Sequence, residues 1–481
     1  MSQVQAAPPR PNVVVAVLAV GGIVVSLMQT LVIPLIPRLP SLLGAAPADT
    51  SWVITATLLA GAVATPVVGR LGDMYGKRRM LLVSLVLLIA GSVTAALASS
   101  LVPMIAGRVL QGLAVGVIPL GISIMRDELP AERLGAATAM MSSSLGVGGA
   151  LGLPASAILI ENTNWHMLFW TAAGLGVVVT ALVLAFVPES NVRTGGRFDL
   201  VGAIGLSAAL VCLLLAISKG ADWGWTDGLT LGLFAATVVL LVLWGWFELR
   251  TRGPLVDLRT SARRQVLVTN LASVMFAFSM FAMSLVLPQI LQLPAVTGYG
   301  LGQSLLVTGL VLVPSGLVMM ATSPISARIS RARGPKITLM LGALVVALGY
   351  AVGAVLMSAI WQLLIVSALI GAGIGLAYGS MPALIMGAVP VSETAAANSL
   401  NTLMRAIGTS VSSAVAGMIL AHMTISLGPV AMPSQDGFRL IMGLGSGAAL
   451  ITIAIAAFIP NRGVRRRPAV SRPDEMVAAA R

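Results

Sequence analysis

A short charged run separates two long apolar stretches, and its residues are the first in this sequence whose types and spacing could support a function. Its glycines permit a tight turn and a close approach of neighbouring helices. The carboxylate of Asp73 can accept hydrogen bonds at the N-terminus of another helix or pair with a cation, and Arg133 is a candidate partner for it. We call this run, residues 69–79, the charged turn. Its candidate functional residues are Gly69, Arg70, Gly72, Asp73, Gly76, Lys77, Arg78 and Arg79.

A second candidate site is an arginine inside an apolar stretch, Arg108, with Gln111 one helical turn later on the same face. An arginine at the centre of a membrane helix costs roughly 2.5–3.5 kcal/mol even on a lenient insertion scale, so it needs water or a partner. We therefore expect Arg108 to face a central cavity; the alternative is a side chain that reaches the membrane surface. Further polar residues that could line such a path, or instead hydrogen-bond between helices, are Gln29, Asn270, Gln289, Gln292, Asn398, Asn401 and Arg405.

Other catalytic chemistry finds little support in the sequence. The two histidines, His166 and His422, lie far apart, and the single cysteine, Cys212, lies in an apolar run, so neither a metal site nor an intramolecular disulfide is expected. Nucleotide-binding and hydrolase motifs are missing, so we expect neither an enzyme nor a cofactor. No carboxylate falls clearly inside an apolar stretch, which leaves Glu161 and Asp199, at helix ends, as the nearest proton-binding candidates.

The elements that must position these residues are membrane helices. Of the 481 residues, 57% are hydrophobic and 9% are charged, and the mean hydropathy is +0.98; soluble domains carry about 25% charge. The apolar runs, many of about 20 residues, predict an all-α polytopic protein with fourteen spans. Six lie in residues 13–187 and six in 265–459. Two extra spans, 199–218 and 229–247, lie in the linker 188–264.

The basic residues indicate how these helices are oriented. With residues 1–12 and the tail 460–481 in the cytoplasm, almost all of the 29 Lys and Arg residues fall in cytoplasmic segments. The exceptions are Arg38, Lys219 and Arg439 in outer loops, and Arg108 and Arg405 inside spans. This distribution obeys the positive-inside rule. The net charge of +13 therefore reports membrane topology rather than binding to nucleic acid.

The sequence also repeats itself. The segment 327–336 aligns with the charged turn, so that Arg328 matches Arg70, Gly334 matches Gly76, and Arg331 replaces Asp73. The segment 390–397 likewise resembles 130–137. Two similar six-helix halves are expected to place a substrate path at their interface, near the membrane midplane.

These segments resemble the major facilitator superfamily. The charged turn is similar to that family's loop between helices 2 and 3, and residues 108–112 are similar to its R-x-x-Q-G motif. Gly148, Gly152 and Pro154 resemble the antiporter motif of helix 5. Residues 197–202, 248–258 and 401–408 resemble the fourteen-helix drug:proton antiporter branch. One departure is Met28, which occupies the place of an acid in the first helix of that branch.

The resemblance implies a secondary active transporter in the plasma membrane with both termini in the cytoplasm. It would export amphipathic drugs or metabolites by alternating access, coupled to protons, with the charged turn closing the cytoplasmic side. We expect a monomer whose partners are the lipid bilayer, a small amphipathic substrate and protons. Two alternatives remain: an exporter of one endogenous metabolite without proton exchange, and a non-transporting membrane sensor of the same fold.

Overall fold

The computed structural model describes residues 11–190, 192–427 and 430–460. In the first part of the chain the helices are α1 (Pro11–Thr30), α2 (Leu39–Leu43), α3 (Pro47–Thr50), α4 (Trp52–Tyr75), α5 (Lys77–Ala96), α6 (Leu101–Leu113), α7 (Val117–Glu128), α8 (Ala131–Asn162) and α9 (His166–Phe186). They are followed by α10 (Leu200–Trp223), α11 (Gly228–Glu248) and α12 (Leu258–Ser261).

The last part contains α13 (Arg264–Gln292), α14 (Leu305–Arg333), α15 (Pro335–Val355), α16 (Ile360–Tyr378), α17 (Ser380–Met386), α18 (Thr394–His422) and α19 (Gln435–Ala457). Short 3₁₀ turns lie at Ile33–Arg38, Ala114–Gly116, Ala295–Thr297 and Val391–Glu393. The strands β1 (Thr424–Leu427) and β2 (Val430–Pro433) pair antiparallel, with Thr424 opposite Pro433.

Within the described ranges, fourteen helical segments are long and apolar enough to cross a membrane, which confirms the predicted number. Two of these spans are interrupted helices: α6 and α7 join through a 3₁₀ turn, and α16 continues into α17. Several helices run further than their apolar runs suggested. For example, α4 continues through Asp73 to Tyr75, because its polar end packs against protein.

The helices pack into two bundles, one built from α1 and α4–α9 and the other from α13–α19. Each bundle has its own apolar core, and fully buried side chains such as Leu85 in the first and Phe276 in the second fill these cores. The two bundles meet where α8 packs along α14 and where α4 and α7 pack against α18. These contacts place α18 beside the charged turn.

The remaining long helices, α10 and α11, pack on each other at one side of this junction. α10 lies against α4 and α18, whereas α11 exposes a row of apolar side chains that includes Val238, Val242 and Trp246. Such a surface on a membrane-spanning helix suits contact with lipid. At the opposite end of the molecule from the charged turn, Tyr299 donates a hydrogen bond to the carbonyl of Pro433 in the β-hairpin.

Candidate functional site

The charged turn is almost entirely helical. α4 ends at Tyr75, α5 begins at Lys77, and Gly76 between them has φ 119°, a backbone conformation that favours glycine. Gly334, the matching residue in the sequence repeat, has φ 90° between α14 and α15. The sequence suggested a charged loop, but the structure replaces it with two helix ends and a single connecting residue, so its side chains are held in fixed directions.

Asp73 joins the two bundles. Its Oδ1 accepts a hydrogen bond from the backbone N–H of Ala395 at 3.2 Å, and its Oδ2 accepts one from Ala396 at 2.8 Å. Both donors lie in the first turn of α18, where backbone N–H groups have no partner within the helix and carry the positive end of the helix dipole. Asp73 is fully buried. The expected contact of this carboxylate with a helix N-terminus is confirmed, and we call it the α18 latch.

The cation beside Asp73 is Lys77, not Arg133. Lys77 Nζ lies 3.8 Å from Asp73 Oδ1 and 2.6 Å from Asp127 Oδ2, and its side chain is fully buried. Arg133 is exposed and makes no described ion pair with Asp73, so that predicted pairing was wrong. Lys77 sits one helical turn after Asp73 and across the Gly76 turn, which brings the two charges together locally.

Arg78 and Arg79 of the charged turn lie away from the latch. Arg78 Nη2 donates to the carbonyl of Leu184 at 2.7 Å. Arg79 is 65% exposed, with its Nε 3.9 Å from Glu189 Oε2. Exposed pairs of this kind contribute little, about 0–1 kcal/mol. Their contacts are therefore local to the first bundle.

Two glycines let α4 approach its neighbours closely, Gly69 towards α18 and Gly72 towards α7. A Cβ atom placed on Gly69 would lie 2.6 Å from Ser399 Cβ and 2.8 Å from the Ala395 carbonyl oxygen. A Cβ placed on Gly72 would lie 2.5 Å from Leu120 Cδ2. The Ala395 carbonyl belongs to backbone that cannot yield, so a side chain at Gly69 would push the latch apart.

Arg126 makes a second connection between the bundles, one that the sequence analysis missed. Arg126, at the end of α7, donates to Thr394 Oγ1 at 2.6 Å and to the carbonyls of Met386 at 2.8 Å and Val389 at 3.1 Å. It holds the segment that leads into α18. The internal repeat was the available signal, because it marked 390–397 as the counterpart of the chain that follows Arg126.

The repeat also explains Arg331. This residue lies two positions before the end of α14, as Asp73 does in α4, and its Nη1 donates to the carbonyl oxygen of Glu132, in the first turn of α8, at 3.3 Å. α8 corresponds to α18 in the repeat. Each half therefore reaches the first turn of the matching helix in the other half, through an acceptor at Asp73 and through a donor at Arg331.

Arg70 lines a cavity of about 130 Å³ where the linker meets the latch. Glu393 and Asp257 line the same cavity. Asp257 caps α12: burial opposes its ionisation, but hydrogen bonds from Thr260 and the charge of Arg259 lower the pKa of its carboxyl below the usual value. The cavity thus has charges of both signs.

The glycines of the antiporter-like motif serve helix packing. A Cβ on Gly148 would lie 2.7 Å from Ser26 Cβ, and a Cβ on Gly152 would lie 2.7 Å from Thr30 Cβ, so both face α1. Pro154 faces the other way, and a Cβ on Gly309 of α14 would meet its Cδ at 2.7 Å. α8 is continuous through Pro154. The motif fits α8 tightly between the two bundles.

Arg108 is buried, 2% exposed, among hydrogen-bond acceptors of its own bundle. Its Nε donates to the carbonyl of Val53 at 3.2 Å, and its Nη1 donates to Gln111 Oε1 at 2.7 Å. Gln111 Nε2 in turn donates to Ser92 Oγ at 2.9 Å. Arg108 forms no ion pair with any described carboxylate. The structure therefore supplies the polar partners that a buried arginine needs, without an anion.

Arg405 is buried to a similar degree, 4% exposed, but its guanidinium is largely unpartnered. Its Nη2 donates to Thr402 Oγ1 at 3.0 Å, and its centre lies 4.4 Å from the centroid of the Tyr378 ring. Its Nε and Nη1 have no hydrogen-bond partner among the described residues. A buried donor left without a partner costs about 1–3 kcal/mol, and more when charged.

The asparagines that were predicted to line a path lie together beside Arg405. Asn401 Nδ2 donates to Asn270 Oδ1 and to Ser273 Oγ, both at 2.9 Å. Asn398 is 2% exposed, and neither atom of its amide has a described partner. We call this group, with Arg405 and Tyr378, the α18 polar cluster. It connects α13, α16 and α18.

The remaining path candidates do not join this cluster through any described hydrogen bond. Gln292 is exposed and donates to the carbonyl of Pro288, one turn back in α13. Gln29 is exposed at the end of α1, and Gln289 is half-buried in α13. Sequence alone could not rank these glutamines, because it gave the helix but not the neighbouring surface.

The described carboxylates lie at helix ends or between helices. Glu161 is exposed near the end of α8. Asp199 Oδ1 accepts from the N–H of Gly202 at the start of α10, and Glu248 Oε1 accepts from the N–H of Val256 at 2.7 Å. A Cβ on Gly202 would lie 2.6 Å from Glu248 Oε2, so the two acids meet where the linker helices converge. These residues, singled out as branch signatures, fix the linker.

The sequence profile of the Major Facilitator Superfamily matches residues 18–413 and 270–477. The multidrug resistance protein Stp of Mycobacterium tuberculosis is 25% identical over 443 residues, covering 88% of this chain and 79% of Stp. The tetracenomycin C resistance and export protein of Streptomyces glaucescens is 28% identical over 427 residues, covering 86% of this chain and 76% of that protein.

Solved structures agree with this assignment of the fold. The human organic anion transporter MFSD10 superposes with a TM-score of 0.68 at 17% identity, covering 93% of this chain and all of that chain. The proton:xylose symporter XylE superposes with a TM-score of 0.64 at 14% identity, covering 94% of this chain and 96% of XylE. The protein belongs to the major facilitator superfamily, as a fourteen-helix membrane transporter with two six-helix halves and two extra helices between them.

Proposed function

We propose that this protein exports amphipathic drugs or metabolites across the cell membrane by alternating access, driven by protons. The observation that carries this proposal is the α18 latch. It joins the two halves at the end of the molecule that carries the charged turn, through hydrogen bonds that a rocking motion would break and remake. Two relatives whose names include multidrug resistance or export support the direction and the kind of substrate.

In this proposal the charged turn and both termini face the cytoplasm. The halves are residues 13–187 and 265–459, with 188–264 as the linker. The described state, with Asp73, Arg126 and Arg331 holding the halves together on that side, is closed to the cytoplasm. Opening would require these three side chains to release their partners at once, so the latch sets how readily the inward-facing state forms.

A second candidate is an exporter without proton exchange. It is favoured by the placement of the acids: in the described ranges, every Asp and Glu of a membrane helix lies within a few residues of its end. Proton-coupled carriers usually hold a titratable carboxylate deeper in the membrane.

For the proton-coupled exporter, Asp73 is our candidate for the proton site, because it is the buried acid that opening would release from its hydrogen bonds.

The test uses purified protein in liposomes with an imposed pH gradient and a panel of lipophilic compounds. Lumenal pH and compound movement are recorded together. Compound-dependent proton flux in the wild type, reduced in Asp73→Asn, is expected. Compound movement without proton flux would establish export and refute proton coupling. Liposomes that move none of the compounds would contradict export of amphipathic molecules as a class.

A further inference from the structure

The α18 polar cluster has free hydrogen-bonding groups deep inside the protein. On α18 the residues Asn398, Asn401 and Arg405 are spaced three and then four residues apart, which aligns them on one helix face. That face meets α13 at Asn270 and α16 at Tyr378. The three helices belong to one half of the transporter, and along α18 the cluster extends from about one turn to about three turns beyond the latch.

The free groups are of both kinds. Arg405 Nε and Nη1 carry three N–H donors that no described residue accepts, and Asn398 Nδ2 carries two more. The Oδ1 atoms of Asn398 and Asn401 are acceptors without a partner. Buried polar groups in folded proteins are almost always hydrogen-bonded, so this many free groups in one place indicates that something else binds them.

The charge of the cluster limits what that ligand can be. Arg405 brings a positively charged guanidinium to the cluster. No described carboxylate forms an ion pair with it. A cationic ligand would therefore meet uncompensated repulsion, whereas a carboxylate or another organic anion would supply the missing counter-charge and accept the free N–H groups.

Arg108 provides an internal comparison. It is as deeply buried as Arg405, yet its Nε and Nη1 donate to Val53 and Gln111, so the protein itself satisfies them. The difference lies in the partners and not in the depth. Arg108 therefore has a structural role, whereas Arg405 has hydrogen-bonding groups that are free to bind a ligand.

We propose that the α18 polar cluster is a binding site for amphipathic organic anions, in which Arg405 receives the anionic group and Asn398 and Asn401 bind further polar atoms. The Tyr378 ring packs on the guanidinium at 4.4 Å and keeps it in place. This inference rests on the proposed export function for the route by which a ligand reaches the site, and it names the substrate class that this function would serve.

Three probes with the same apolar body and different head groups test the charge preference: pyrenebutyrate, pyrenebutanol and pyrenebutylamine. Their binding to the purified full-length protein in detergent is measured by pyrene fluorescence anisotropy. We expect pyrenebutyrate to bind about tenfold or more tightly than pyrenebutanol, as a charge-assisted hydrogen bond would give. Tightest binding of the amine, or equal binding of all three, would overturn the proposal without any variant.

Variants then assign the preference to Arg405. Arg405→Gln should reduce it to near parity, and Arg405→Lys should keep part of it, because lysine retains the charge but not the planar donor set. Arg439→Gln is the matched control, because Arg439 is an exposed arginine whose described ion pair is with Asp436. An anion preference that survives in Arg405→Gln would overturn the assignment.

Binding and export can fail separately. Pyrenebutyrate that binds at Arg405 but is not moved across liposomes would refute export and leave the site standing. Movement of pyrenebutylamine or pyrenebutanol, with no preference for the anion, would refute the site and leave export standing. Thermal unfolding of unliganded Arg405→Gln serves as the folding check. It should match or exceed that of the wild type, because the variant removes an unpaired buried charge.

Discussion

Replacing Asp73 by asparagine should open the latch. The substitution keeps the size of the side chain and one oxygen acceptor, but it places an NH₂ group opposite a backbone N–H of Ala395 or Ala396. One hydrogen bond to a charged acceptor is lost, which is worth about 1.5–3 kcal/mol. Lys77 also loses one of its two carboxylate neighbours. The equilibrium between closed and open forms on this side should therefore shift by about 10- to 150-fold.

The shift can be measured as a distance between the halves. Tyr75 and Val391 are exposed on the two sides of the latch, and Cys212 is the single cysteine. Cysteines at these two sites in a Cys212→Ser background accept spin labels for double electron–electron resonance. The wild type should give one short distance, and Asp73→Asn should add a longer one with a substantial population.

A nearby acid serves as the control. Glu189 pairs with the exposed Arg79 at 3.9 Å, so Glu189→Gln should cost less than about 1 kcal/mol and leave the distance distribution unchanged. If Asp73→Asn and Glu189→Gln both give the wild-type distribution, the latch does not hold the halves together and this reasoning is refuted.

Two further predictions concern stability. Gly69→Ala should lower the thermal unfolding temperature by an amount equivalent to about 1–3 kcal/mol, because its Cβ would collide with Ser399 and with backbone. The control Gly135→Ala should not lower it, because the space around Gly135 is open. Equal stability of the two variants would contradict the close packing of α4 and α18. Glu248→Ala should release the chain at Val256 and speed limited proteolysis of the linker by trypsin. Glu248→Gln keeps an acceptor for the Val256 N–H and should restore much of the protection. No change in either variant would show that Glu248 does not fix the linker.

The fold could be predicted from the sequence because the bilayer imposes simple rules. A membrane helix needs about 20 apolar residues, and the positions of the basic residues gave an independent check on the number of spans. Helix ends were harder to place. Asp73 and Lys77 are charged, yet they lie within helices, because a helix end buried against protein can carry charge that lipid would exclude.

The candidate site was predictable in part. The contact of Asp73 with a helix N-terminus followed from its residue type, but the helix that provides it lies 322 residues away in the chain. Arg133 was chosen as a partner by its charge and its helix, and the structure shows that Lys77 is nearer. Distances between segments depend on how whole helices pack, which hydrophobic patterns do not specify.

The α18 polar cluster shows the same limit on what the sequence can predict. The sequence identified Arg405, Asn398 and Asn401 as polar residues in an apolar helix, and it could not distinguish them from Arg108 and Gln111. The difference between a satisfied and an unsatisfied guanidinium appears only when the neighbours are known. Arg126 was missed because, in the sequence, it looked like one of many basic residues at a helix end.

We propose that the protein exports amphipathic compounds by alternating access controlled by the α18 latch. Uptake of a fluorescent lipophilic compound into inside-out membrane vesicles, acidified inside, tests it most directly. Vesicles that contain the wild-type protein should accumulate the compound, and vesicles that contain Asp73→Asn at equal amount should accumulate much less. Equal accumulation in wild-type, Asp73→Asn and protein-free vesicles would contradict the claim.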